Sequence, residues 1–155
     1  MFRNLVLSHN KLRLYFLKSL PMALIAGLKV RELTNENCTV SIPYKYVNKN
    51  PFRSMYFAAQ SMAAELSTAL LAMDKLMATK QKYSMLVIDM QANFTKKAAK
   101  RVFFTCNDGN LVHQAIEKAL SDPNGASFVA KTTGIDEDGN QVSEFQFTWS
   151  IKIKK

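Results

Sequence analysis

The chain's 155 residues are enough to bury one sizeable core without staples, so residues 1–155 are read as a single domain. With 48% hydrophobic and 21% charged residues it has an ordinary globular composition, with no low-complexity stretch, internal repeat or Gly/Ser/Pro-rich linker. The formal net charge of +9, from 21 Lys and Arg against 12 Asp and Glu, favours anionic partners without choosing among phosphates, nucleic acid and an acidic membrane surface.

Near the N-terminus, Arg3, Lys11 and Arg13 precede the apolar run LYFLKSLPMALIAG. Lys18 and Pro21 interrupt that run, and no small-x-small cleavage site follows, so it predicts a structural helix over 9–20 rather than a signal peptide. KVRELT (29–34) and CTVSIPYKYV (38–47) read as extended, the second because Val40, Ile42 and Tyr44 alternate with Thr39, Ser41 and Pro43. NKNPFRS is a loop. Residues 55–77 have helical composition and are apolar nearly all round, which predicts a buried helix.

Within that segment, residues 54–73 contain no Gly, no Pro and one charge, Glu65. Six polar side chains (Ser54, Gln60, Ser61, Glu65, Ser67, Thr68) argue against a membrane span, which needs about 20 predominantly apolar residues. Next, YSMLVIDMQANF (83–94) alternates Leu86, Ile88, Met90, Ala92 and Phe94 against Val87, Asp89, Gln91 and Asn93, a strand pattern. RVFFTC (101–106) is a further strand. Positions 111, 112, 115, 116, 119 and 120 form the apolar stripe of a short helix that Asp122, Pro123, Asn124 and Gly125 stop. The remainder is a hairpin, ASFVAKTTGI and QVSEFQFTWSIKIKK around DEDGN, and Phe145, Phe147, Trp149, Ile151 and Ile153 share one face of its last strand. The implied architecture is α+β: an antiparallel sheet packed on one long buried helix.

On a helical wheel Glu65 shares its face with Ala58, Ser61, Met62, Ala69 and Ala72, small neighbours that leave room beside it. Burial raises a carboxyl's pKa into the range where it exchanges protons near neutral pH, which makes Glu65 a general-base candidate; an ion pair with a Lys or Arg from the sheet is the competing structural reading. Upstream, Asn50-Pro51 and Ser54 are both helix-start signals. A helix N-terminus there presents free N–H groups able to hold an anion or a developing oxyanion, or is simply a capped end.

Other chemistry finds little support. Cys38 and Cys106 show no CxxC spacing and are read as reduced thiols of a cytoplasmic protein, while His9 and His113 are too scattered for a zinc site, so no metal is expected. GxSxG, HExxH and a Gly-rich phosphate loop are absent, and no cofactor is expected. Cys106 with His113 is a weak nucleophile pair, because strand alternation already explains Cys106. TKKAAKR and the IKIKK terminus suggest a nucleic-acid binder, but these charges sit at a turn and a chain end rather than on a clustered face, so no nucleic acid is expected.

The spacing of Asn50, Tyr56-Phe57-Ala58 and Glu65 resembles the motif of hotdog-fold acyl-CoA thioesterases, the phenylacetyl-CoA type in particular, with its His-Gly-Gly replaced. The order of elements is also similar, with ANFTKKAAKRVFFTC as the stretch linking two strands and GIDEDGNQVSEFQFTW as the closing hairpin. The resemblance implies a hotdog sheet wrapped around the central helix and thioester hydrolysis with Glu65 as general base or nucleophile. It further implies the N–H groups of Phe57 and Ala58 at the oxyanion, Asn50 positioning water or substrate, and Tyr56 at the substrate. The implied ligand is acyl-CoA or another acyl thioester. The implied assembly is a homodimer or dimer of dimers, with Glu65 facing Asn50 of the partner subunit. Tyr56 in place of His, and the lost glycines, leave a non-catalytic acyl-CoA or acyl-chain binding protein as the alternative.

Overall fold

Three short helices come before the first strand in the computed structural model, which describes residues 2–154: α1 (Phe2–Leu7), α2 (His9–Ser19) and α3 (Pro21–Ala26). The helix that the sequence predicts over 9–20 is α2, and α1 and α3 are additional to it; the chain breaks at Leu20 because Pro21 can open a helix but cannot donate within one. Gly27, at φ +80°, closes α3 in the left-handed conformation and turns the chain into the sheet.

The strands are β1 (Lys29–Leu33), β2 (Cys38–Ile42), β3 (Lys82–Phe94), β4 (Val102–Cys106), β5 (Ala126–Asp136) and β6 (Gln141–Lys154). They form one six-stranded antiparallel sheet in the order β1-β2-β4-β5-β6-β3. The predicted strand over 38–47 ends at Ile42, where Pro43 follows and the chain winds into a 3-10 turn at Tyr46–Asn48. The β5–β6 turn is as the sequence predicts: Gly139 takes φ +83°, and Asp136 Oδ1 accepts from the N–H groups of Asp138 and Asn140 at 3.0 and 2.9 Å.

The long helix α4 (Phe57–Ala78) lies on this sheet against β2, β4 and β5, and α5 (Gly109–Ser121) packs beside it on β5 and β6. Ala59, Ala63, Ala64 and Ala72 let α4 approach the strands closely, while Leu70, Leu71 and Leu76 are fully buried, each worth roughly 1.5–3 kcal/mol of transfer free energy. Three polar residues of the helix, Gln60, Ser67 and Thr68, are partnered across this interface. Ser143 Oγ donates to Gln60 Oε1 at 2.8 Å, Ser67 Oγ to Thr132 Oγ1 at 2.8 Å, and the Trp149 indole N–H to Thr68 Oγ1 at 3.0 Å. Burial without these partners would cost free energy, so the three bonds fix the register of helix on sheet.

β3 departs from its predicted alternation. A bulge between Val87 and Asp89 inserts Ile88, so Tyr83, Met85 and Val87 face the helix side before it and Met90, Ala92 and Phe94 after it, opposite inward Phe145, Phe147, Trp149 and Ile151. Leu86 therefore points away from Met90, and the single apolar stripe read over 86–94 is split between the two faces.

At the start of α5 the backbone passes close to the β1–β2 loop. A Cβ on Gly109 would stand 2.2 Å from the Asn35 carbonyl oxygen and 2.4 Å from Glu36 Cα. Gly109→Ala is expected to lose on the order of 2 kcal/mol or more of unfolding free energy, read as a lower denaturant midpoint.

Candidate functional site

The start of α4 is held by the loop before it. Asn48, 1% exposed, donates from Nδ2 to the carbonyls of Ala26 and Pro43, both at 2.8 Å, and its own carbonyl accepts the Tyr56 N–H at 2.7 Å. The Met55 N–H reaches the Ala98 carbonyl at 2.7 Å. Neither Asn50 nor Ser54 caps α4, contrary to the sequence reading. Asn50 Oδ1 instead accepts the N–H groups of Phe52 and Ser54 at 3.0 and 3.1 Å, closing a tight loop in which Arg53 sits at φ +58°. The N-cap position is Tyr56, whose side chain makes no capping bond. The first helical N–H groups, those of Phe57 and Ala58, have no hydrogen-bond acceptor among the described residues, as the geometry of a helix start dictates.

Asn50, Tyr56 and Phe57 come together on a cavity of about 800 Å³, with Phe52, Phe94 and three lysines, Lys49, Lys96 and Lys97. Ala58 is half-buried one residue further along α4 and is not among the lining residues. Phe57 is 53% exposed, and its ring meets that of Tyr56 edge-on, with centroids 4.9 Å apart.

Glu65 lies elsewhere. It is two turns into α4, about 10 Å along the axis from Ala58 at 1.5 Å per residue. It lines a second cavity of about 350 Å³ between α4, α2 and the sheet, with Tyr15, Ser19, Met73, Tyr83 and Trp149. The carboxylate is partly buried and has no hydrogen bond or ion pair among the described residues, whereas the other acid of this helix, Asp74, is bound by Arg3. Desolvation by burial raises its pKa from the ordinary 4.5 to about 7. Among the described residues no Lys or Arg from the sheet meets Glu65, so the ion-pair reading finds no partner and burial is what favours its neutral form.

Sequence reasoning missed Asn48 and the α2 wall formed by Tyr15 and Ser19, and it read Lys96 and Lys97, within TKKAAKR, only as charges at a turn. Asn48 looks like Asn50 in the run NKN, and nothing in that run tells a buried bridging amide from a loop-closing one. The thiols carry no nucleophile. Cys38 and Cys106 face each other across β2 and β4, both free and fully buried, and burial pushes the Cys106 thiol up to about 12. His113 is exposed on α5. Among the described residues no helix is long and apolar enough to cross a membrane.

No curated protein matches this sequence. Solved structures do. A Pseudomonas aeruginosa protein of unknown function, described as a probable thioesterase, is 19% identical with a TM-score of 0.77, covering 97% of this chain and 99% of its own. A Haemophilus influenzae thioesterase is 14% identical with a TM-score of 0.72, covering 94% of this chain and 91% of its own. A Staphylococcus aureus thioesterase, solved as a Gln→Ala variant, is 17% identical with a TM-score of 0.68, covering 85% of this chain and 98% of its own. The same Staphylococcus aureus protein was also solved with a Glu→Ala change fifteen positions after that Gln. The sheet and central helix described above are thus a hotdog fold, and the chain, matched over residues 9–151, belongs to the family called domain of unknown function DUF4442.

Proposed function

We propose that the protein hydrolyses acyl thioesters, acyl-CoA or a related carrier, with Glu65 as general base or nucleophile. The observation that carries this reading is the unpaired, partly buried carboxyl with its pKa near 7, set in an apolar cavity beside the central helix. Two features of the solved relatives support it. Several are described as thioesterases, and the two positions varied in the Staphylococcus aureus protein have the same fifteen-residue spacing that separates Asn50 from Glu65.

In this mechanism Glu65 takes a proton from the water that attacks the thioester carbonyl and returns it to the departing thiolate, or its carboxylate attacks the carbonyl and expels the thiolate, forming an acyl anhydride that water then hydrolyses. The Phe57 and Ala58 N–H groups hold the oxyanion, Asn50 positions water or substrate, and Tyr56 lies against the substrate. Lys49, Lys96 and Lys97 offer charge to CoA phosphates. A base and oxyanion donors must each stand about 3 Å from the reacting atoms, which one chain cannot arrange across the 10 Å rise between Ala58 and Glu65. This separation supports a site shared between two subunits, with Glu65 of one working beside Asn50 of the partner subunit, and β3 is the edge that favours such pairing. It is a 13-residue edge strand with unpaired backbone groups, and Leu86, Ile88, Met90 and Phe94 are 64, 55, 44 and 46% exposed along it. The two free thiols, opposite one another and unbridged, favour the cytoplasm as its compartment.

Release of free thiol from a panel of acyl-CoAs of different chain length tests the reading, and saturable turnover is expected. Saturable binding without turnover would instead favour an acyl-CoA binding protein, for which the Tyr56–Phe57 ring pair over the helix N-terminus is the motivating observation. Met90→Lys is expected to give a monomer in light scattering and to lower the rate at least roughly tenfold, since a charge at this edge opposes strand pairing.

A further inference from the structure

The first thirty-one residues are one-sided in charge and, once folded, expose an apolar face. Their cations are Arg3, Lys11, Arg13, Lys18, Lys29 and Arg31, and the first acidic residue of the chain is Glu32. In α2, Leu12 and Phe16 are buried against the core. The opposite face carries Lys11, Leu14, Leu17 and Lys18, at helical spacing, with Leu14 69% and Leu17 62% exposed. α3 continues the apolar surface with Met22 at 62% and Ile25 at 55% exposed. Lys11, Arg13 and Lys18 are exposed and take no ion pair among the described residues.

We propose that the outer face of α2 and α3 docks on an anionic lipid bilayer. Leucine, methionine and isoleucine side chains enter the boundary between headgroups and acyl chains, and the lysine stems lie along them while their ammonium groups reach lipid phosphates. A second copy of this chain fits the face poorly. A two-fold interface would oppose this face to itself, and since the first acidic residue of the chain is Glu32, Lys11, Arg13 and Lys18 would meet no opposite charge across it, whereas the edge of β3 offers a copy unpaired backbone hydrogen bonds instead. Docking in this orientation brings Ser19 and Leu20, which also line the Glu65 cavity, to the bilayer surface. Lipid binding itself stands apart from the hydrolytic reading and is measurable without turnover.

Co-sedimentation with vesicles tests it, comparing phosphatidylcholine alone with phosphatidylcholine containing phosphatidylglycerol. Binding to the anionic vesicles is expected, screened by salt, and weakened at least roughly tenfold by Lys11→Glu with Lys18→Glu. Leu14→Ser with Leu17→Ser, both outward-facing and so compatible with folding as read by circular dichroism, is expected to weaken it comparably. No binding to anionic vesicles, equal binding to neutral ones, or indifference to both double variants would overturn the proposal. So would a change of oligomeric state in the Leu14→Ser, Leu17→Ser protein, which would assign the face to another copy of the chain.

Discussion

Glu65→Gln is expected to lower kcat for acyl-CoA hydrolysis by roughly a hundred- to ten-thousandfold while leaving the fold intact, because Gln keeps the shape of the side chain and cannot accept the proton. The rate of the unaltered protein is expected to rise tenfold per pH unit up to about 7 and then level off, following ionisation of the carboxyl. Stability runs the other way. Folding raises the Glu65 pKa from 4.5 to about 7, so the folded chain binds this proton more tightly than the unfolded chain does. Stability attached to the group is then lost as pH rises through that window, and above it the ionised Glu65 costs on the order of 3 kcal/mol. Glu65→Gln should therefore unfold at higher denaturant than the unaltered protein at about pH 8 and at nearly the same point at about pH 4. Equal turnover in the two proteins would remove Glu65 from the chemistry, and equal stability at alkaline pH would remove its burial as the source of the shift.

Phe57→Pro isolates the other half of the proposed site. Phe57 is the first residue of α4, where proline's missing N–H and fixed φ are tolerated, and Tyr56 already has ψ 134°, the extended conformation that a residue before proline adopts. The change deletes one oxyanion donor without breaking the helix, and a rate loss of roughly a hundred- to thousandfold is expected. Phe57→Ala, which keeps the N–H and removes the ring, is expected to retain activity. If the site is shared between two subunits, mixing Glu65→Gln chains with Phe57→Pro chains regenerates one intact site in each mixed dimer. Random exchange of subunits should then restore about a quarter of the original activity. Restoration of none would place base and oxyanion donors in one chain and refute the shared site.

The last strand shows how legible parts of this molecule are. Its strict alternation from Phe145 to Ile153 determines by itself which face is buried, because a one-residue slip would turn every aromatic to solvent. Ala-rich α4, with few charges and no Gly or Pro, likewise declares a buried helix. The bulge at Ile88 is not declared, since an apolar residue inserted into an apolar run leaves no mark in periodicity. Nor is the cap at Tyr56: Asn50 and Ser54 carry better capping side chains, but the bonds from Asn48 and Ala98 decide where the helix begins.

For the site, the sequence by itself determined that one carboxylate sits in the least charged helix, fifteen residues after Asn50. Tertiary structure decided what that carboxylate is. The sheet supplies hydrogen-bond partners to Gln60, Ser67 and Thr68 but none to Glu65, and α2 folds over the cavity with Tyr15 and Ser19. A pKa depends on which groups surround a side chain in space, and those groups arrive here from α2, β3 and β6, as far along the chain as Trp149, so no local pattern could have fixed it.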